Sequence, residues 1–327
     1  MFSLVWKKST APNCGSEPAR GVLPFSAMLK IAYADIYPHP LPAKHRFPMS
    51  KYGLIRDQLL YEGTASTSNF FVPGLLAEED ILRTHQMHYW RKLKDQNLSR
   101  AEERRTGFPL SPQLVERERC INQGTIENCR FALQYGISMN VAGGTHHAYA
   151  DRGEGFCLLN DMAIAAHWLL ERKLARKILI VDLDVHQGNG TAAIMQNESR
   201  VYTFSMHGAG NYPLRKERSD WDEALPDGCD DQTYLRRLQS ILPRLIDEQQ
   251  PDFLFYQSGV DVLASDKLGR LSLSMEGCRQ RDQFVLETAK REALPTVVAM
   301  GGGYSPRVAD VVTAHVNTFR LAQEIFF

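Results

Sequence analysis

Six short apolar runs punctuate the chain: Leu29–Ala34, Ile137–Ala142, Ile178–Leu183, Val201–Met206, Phe253–Gln257 and Thr296–Met300. Each has the length of a strand and is closed by glycine, proline or polar residues. Longer amphipathic segments lie between them, at Lys51–Glu62, Glu78–Leu93, Leu114–Tyr135, Asp161–Leu174, Asp231–Glu248, Met275–Arg291 and Arg307–Ala322. Strands that are apolar throughout need cover on both faces, and the alternating order supplies helices to provide it. The expected fold is therefore α/β, a single-domain open parallel β-sheet flanked by helices on both faces.

No internal repeat and no linker rich in Pro, Gly or Ser divides the 327 residues. The folded domain is expected to span 28–327, starting at Met28 just before the first apolar run. Residues 1–27 lack the apolar stretch of a secretory signal and are expected to form a poorly ordered tail, or to reflect start-codon choice. With 38 basic and 38 acidic residues the formal charge is zero, so direct nucleic-acid binding is not expected. The six cysteines are scattered without a C-x-x-C pair, which reads as reduced thiols in a cytoplasmic protein. No apolar run approaches the roughly 20 residues that span a bilayer.

In an open parallel sheet, ligands bind beyond the carboxyl ends of the strands. Four such ends carry the reactive side chains: GGTHHAYADRGEGFCLLND from Gly143, DLDVHQGNG from Asp182, SGVDVLASDKLGR from Ser258 and GGGYSP from Gly301. In extended backbone, Asp182, Asp184 and His186 share one face, while Leu183 and Val185 take the other. Two carboxylates and an imidazole crowded at one strand end repel unless a cation sits among them. Asp184, His186 and Asp261 are the expected ligands of one divalent ion, with Asp266 a weaker competitor to Asp261. Three protein ligands leave a position open, as catalytic sites do. Zn²⁺ is the first choice, although Fe²⁺ or Co²⁺ suits the same set. Two anionic ligands acidify a bound water less than three histidines do, so a general base is needed nearby, and His146 and His147 can supply it. The Tyr304 phenol could donate a hydrogen bond to an oxyanion, although its loop alone reads more readily as holding a buried tyrosine with a satisfied hydroxyl. His85, His88, His167 and His315 read as packing or surface residues, and His207 falls outside the ligand set.

Taken together, the four loops resemble the zinc-dependent histone deacetylase family of the arginase/deacetylase fold, from about Leu29 to the C-terminus. The DLDVHQGNG, D-R-G-E-G-F and D-x-L-G-x-L-S forms are most similar to the class IV branch and its bacterial relatives. The resemblance implies that Asp184, His186 and Asp261 bind zinc, that His147 acts as general base and then acid, and that His146, backed by Asp182, is its electrostatic partner. Tyr304 would polarise the acyl carbonyl. Gly155 and Phe156 would wall a tunnel for a lysine stem, with Tyr212 opposite. Ser205 and Met206 would join Asp182 around a structural K⁺ ion, and Arg46 would lie beneath the metal by an acyl-product cavity. Many members carry Asp where this chain has Asn189, and a neutral partner favours imidazolium less. Asn189→Asp is therefore expected to move the acidic limb of the pH–rate profile to higher pH, and an unshifted limb would remove the idea.

These residues imply a zinc-dependent hydrolase that removes acetyl or longer fatty acyl groups from lysine side chains of a peptide or protein, by metal-activated water. Deacylation of acetylated polyamines or other small amides is the alternative. A non-catalytic acyl-lysine binder would have no use for a base, and a two-manganese ureohydrolase would need further bridging ligands. The basic and acidic run RKLKDQNLSRAEERRTG is expected to be a solvated helix–loop, with a place at the substrate rim as a lesser reading.

Overall fold

The computed structural model describes residues 28–327. The tail expected over 1–27 lies outside the described residues. Eight strands form one sheet in which every pairing is parallel. In chain order they are β1 Lys30–Ala32, β2 Phe70–Phe71, β3 Ile137–Asn140, β4 Ile178–Asp182, β5 Val201–Gly208, β6 Trp221–Leu225, β7 Phe253–Gln257 and β8 Thr296–Ala299. In space they run β2-β1-β3-β8-β7-β4-β5-β6.

Among the described residues ten α-helices accompany them: α1 Lys51–Tyr61, α2 Glu78–Leu82, α3 Met87–Lys94, α4 Arg100–Thr106, α5 Pro112–Tyr135, α6 Asp161–Glu171, α7 Asn189–Met195, α8 Asp231–Gln249, α9 Met275–Arg291 and α10 Val308–Phe326. Every residue of β3, β4, β7 and β8 is buried, so both faces of the sheet are covered there. Helices α1, α10, α9 and α8 pack in succession, while α5 packs on α6 and lies against β1, β3 and β8. The long helices begin where the sequence offers caps. Ser111 accepts from the Leu114 N–H ahead of Pro112, Asp230 from Thr233 and Ser274 from Gly277, each satisfying a free amide of the first turn.

The strand order matters for chemistry. The four strands that end in the reactive loops, β3, β8, β7 and β4, are neighbours at the centre of the sheet. Their ends are also level: Asn140 pairs with Ala299, Ala299 with Gln257, and Gln257 with Asp182. All four loops therefore leave the same edge side by side.

Three sequence expectations are corrected. The sheet has eight strands, not six, because β2 is only two residues long and β6, WDEAL, is an edge strand with alternating exposure. The helix expected over Glu78–Leu93 is two helices, since the Gln86 N–H leaves the helical ladder to donate to Ala150 O at 2.7 Å. A helix absent from the expected set, α7, begins within the DLDVHQGNG loop, with Asn189 and Gly190 as its first residues.

Candidate active site

The residues just past β4 continue the alternation of an extended chain. Leu183 and Val185 are fully buried in the core, while Asp184 and His186 turn to the loop edge. The His186 Nδ1 lies 3.0 Å from Asp184 Oδ1 and 3.1 Å from Asp261 Oδ2. One donor atom from each of the three residues falls within 4.8 Å of the other two, and all three residues are buried. Backbone amides fix the carboxylates from behind: Gly302 N donates to Asp184 Oδ2 at 2.7 Å and Val185 N to Asp261 Oδ1 at 2.9 Å. That approach requires glycine at 302, because a Cβ there would stand 2.0 Å from Asp261 Oδ2.

The electrostatics test whether a cation fits. Burial, reinforced by the negative charge of Asp184, pushes the Asp261 carboxyl up to about 7. Burial alone would depress the His186 imidazolium, but hydrogen bonds to Asp184 and Asp261 outweigh it and raise the ring to about 10. Without a metal the cluster takes up protons to offset its own negative charge. Two carboxylates and one imidazole around a dehydrated point are the donor set of a divalent ion, which would replace those protons. Asp182 and Asp266 do not extend the set into a two-ion centre. Asp182 Oδ2 accepts from His146 Nδ1 at 2.6 Å. Asp266 Oδ1 accepts from the amides of Leu268 and Gly269, and Oδ2 from that of Tyr304 at 2.6 Å. Asp266, the competitor ligand at the sequence level, is thus a positioning residue for Tyr304.

The tandem histidines sit over this cluster. Their ring centroids are 4.1 Å apart, and the His147 ring is 5.9 Å from that of His186. His147 Nδ1 bonds the Asn189 carbonyl oxygen at 2.6 Å. A carbonyl can only accept, so Nδ1 carries the proton and Nε2 keeps its lone pair. Asn189 is itself oriented by its amide, which donates to Tyr149 Oη at 3.0 Å. Burial, followed by the charge of His146, holds the His147 imidazolium well below the ordinary histidine range, so the ring is neutral. His146 goes the other way: burial disfavours its charge, but Asp182 and Asp184 raise it overall. One neutral ring and one cation-stabilised ring is the division expected of an acid–base pair.

Tyr304 comes from the loop after β8, its ring 6.3 Å from His186. Burial and the nearby carboxylates Asp261 and Asp184 push its phenol well above the usual range, so it stays a donor. A cavity of about 410 Å³ opens above these groups, lined by His147, His186, Tyr304, Gly155, Phe156, Tyr212, Leu268 and three arginines. Tyr212 stands edge-on to His147 at 5.0 Å, and its hydroxyl donates to Glu154 at 2.7 Å. The Phe156 wall is pinned from α4, whose Arg105 and Thr106 carbonyls accept from the amides of Gly155 and Phe156. Gly155 has φ +52°, and a Cβ there would press within 2.6 Å of the His147 ring.

The expected placement of Arg46 beneath the metal is corrected. Phe47 turns inward against Phe156 and Tyr304, so the preceding residue faces out. The Arg46 guanidinium lies 5.0 Å from the Phe156 ring centroid, at the cavity mouth. A buried cation on the Gly301 side of the cluster is Lys51, which sequence reasoning missed. It donates to Gly301 O at 3.0 Å, and burial lowers its ammonium to about 8 despite the pull of Asp261 and Asp184. Its only signal was position, at the start of an amphipathic helix. Arg104 and Arg105 belong to the RKLKDQNLSRAEERRTG run, for which a place at the substrate rim is only the lesser reading; the Ser99-x-x-Glu102 capping box marks their helix, but nothing local says where it docks.

A central parallel sheet whose switch-edge loops hold an Asp-His-Asp cluster under two histidines and a tyrosine defines a metal-type hydrolytic centre. The histone deacetylase domain model matches residues 45–319, and the chain belongs to that family, whose members are zinc-dependent deacetylases. It is 40% identical over 296 residues to an uncharacterized protein of Picosynechococcus sp., covering 90% of this chain and 99% of the relative. It is 29% identical over 282 residues to histone deacetylase 2 of Arabidopsis thaliana, covering 84% and 73%. The crystal structure of an HDAC homolog from Aquifex aeolicus shares the fold with a TM-score of 0.76 at 21% identity, covering 90% of this chain and 83% of that one.

Proposed function

We propose that the chain hydrolyses short acyl groups from the Nε of lysine side chains in peptides or proteins. The observation that carries this reading is convergence: Asp184, His186 and Asp261 cluster, and the rings of His147 and Tyr304 lie 5.9 Å and 6.3 Å from that of His186 beside one aromatic-walled cavity. A zinc ion held by the three ligands would supply Lewis acidity toward a carbonyl and a water. Phe156 and Tyr212 take the alkyl stem between their rings. His147, its Nδ1 proton committed to Asn189, accepts the proton of the attacking water at Nε2. Tyr304 donates to the oxyanion as the carbonyl becomes tetrahedral. His147 then returns the proton to the leaving amine, and lysine and a carboxylate depart.

The small space between the four loops supports a short acyl group. It amounts to about 30 Å³, bounded by Phe47, Tyr52, Gly143, Gly144 and Gly301 among others. That is room for roughly two water-sized groups, which favours acetyl over a fatty chain. A cationic polyamine is disfavoured by the arginines at the mouth. The class IV likeness, a cytoplasmic setting and a domain spanning 28–327 belong to the same proposal. So does a structural K⁺ near Asp182, Ser205 and Met206, favoured by the pairing of Asp182 with Ser205 across β4 and β5.

The test is a set of lysine peptides acylated with chains of increasing length, assayed with and without a chelator. Chelator-sensitive turnover that falls at least roughly tenfold from acetyl to dodecanoyl is expected. Binding without turnover would leave an acyl-lysine binder, and turnover confined to acetylated polyamines would move the substrate class.

A further inference from the structure

The cavity is lined by three arginines, Arg46, Arg104 and Arg105, and among the described residues by no carboxylate. All three arginines are exposed, and among the described residues none has an acid within ion-pair distance. This is not general basicity, since the chain as a whole has equal numbers of acidic and basic residues. The neighbouring acids are held by other partners. Glu154 is bonded to Arg152 and to the Tyr212 hydroxyl, and Glu103, in the adjoining groove with Arg104, accepts from the Leu110 amide.

The arginines are also fixed with respect to the reacting centre. Arg46 lies over the Phe156 ring. Arg104 and Arg105 form the last turn of α4, and the Arg105 carbonyl holds the Gly155 amide at 3.1 Å. The side chains that wall the lysine stem and the charges at its entrance therefore belong to one interlocked unit. A guanidinium presents its donors in a planar fork that matches a carboxylate.

We propose that this mouth selects acyl-lysine substrates carrying a carboxylate beside the acylated side chain, and rejects lysines set among basic residues. The inference rests on the acyl-lysine reading of the site. The carboxylate can come from an Asp or Glu next to the modified lysine or from the α-carboxylate of a free acyl-lysine. The positive rim would draw either into register with the cavity, while a Lys- or Arg-rich segment would be repelled.

The test compares acetyl-lysine peptides identical except for Asp, Ala or Lys at the flanking positions, together with free Nε-acetyl-lysine and its amide, using the zinc-loaded full chain. The expected order in kcat/KM is acidic, neutral, basic, with roughly tenfold between the extremes at low ionic strength. The gap should narrow as salt is raised. A free acid preferred over its amide identifies the α-carboxylate source; a preference confined to the peptides identifies the flanking side chains. The double variant Arg104→Glu, Arg105→Glu should invert the peptide order, and Arg46→Gln should flatten it. Both are read as ratios within one variant, so a general loss of activity does not mimic the result. Turnover of all peptides at equal kcat/KM would overturn this inference and leave the acyl-lysine reading standing. Failure to cleave any acyl-lysine substrate would overturn both.

Discussion

Tyr304→Phe is expected to lose about a hundredfold to a thousandfold in kcat, with a comparable loss in kcat/KM and little change in Tm. The magnitude is that of removing one oxyanion donor from a water-poor site. The two constants should fall together, because a hydrogen bond made only as the carbonyl becomes tetrahedral stabilises the transition state and not the bound substrate. The fold should not suffer. The Tyr304 loop is held through its backbone, by the amide that donates to Asp266 and by the Lys51 ammonium on the Gly301 carbonyl. The ring itself packs on Phe47 and Phe156, contacts that phenylalanine keeps. Steady-state kinetics alongside a melting curve separates the cases. Near-normal kcat would remove Tyr304 from the chemistry, and a large drop in Tm would make its hydroxyl structural.

Asp261→Ala should have the larger effect. It removes one of three ligands and strands the other two, leaving Asp184 and His186 as a two-point site. Substitutions in the residues behind a metal's ligands already cost roughly 10–100-fold in affinity, so losing a ligand should exceed that. The variant should purify without stoichiometric zinc, show no chelator-sensitive activity and not be rescued by added metal at concentrations that saturate the wild type. The same change at Asp266 separates the two acids. Asp266→Ala should retain zinc while losing activity, because its carboxylate orders the backbone at Tyr304 and touches no other member of the cluster. Elemental analysis of both variants reads this difference directly. Equal zinc loss in the two would contradict the assignment of Asp261 as ligand and Asp266 as positioning residue.

Legibility in the sequence depended on how much of each signal was local. The four central strands are short, largely apolar runs, and each ends in a loop dense with Gly, His or Asp, so both their existence and their common edge were legible. The edge strands were not. β2 has two residues, and β6 alternates in a way that a solvated loop also does. At the site, the ligands and the tandem histidines lie in or right after strands, where period-two geometry says which way they face. Arg46 and Lys51 lie in a loop and a helix start, and which of them turns inward is decided by Phe47 packing against Phe156 and Tyr304, a contact between residues more than a hundred positions apart. The basic rim was legible only as the lesser reading of its run, for the same reason. Arg104 and Arg105 occupy an ordinary polar helix until its C-terminal carbonyls dock onto the Gly155-Phe156 turn. Asn189 carried its meaning in the sequence, as a neutral partner for His147, and the two are 2.6 Å apart.

The central claim is that one divalent cation, gathered by Asp184, His186 and Asp261, is required for amide hydrolysis. The most direct test strips the purified chain with a chelator and returns zinc in measured increments while following cleavage of an acetyl-lysine peptide. Activity should vanish on stripping and return in a straight line that breaks at one equivalent per chain. Activity that survives stripping, or a break at two equivalents, would contradict the account.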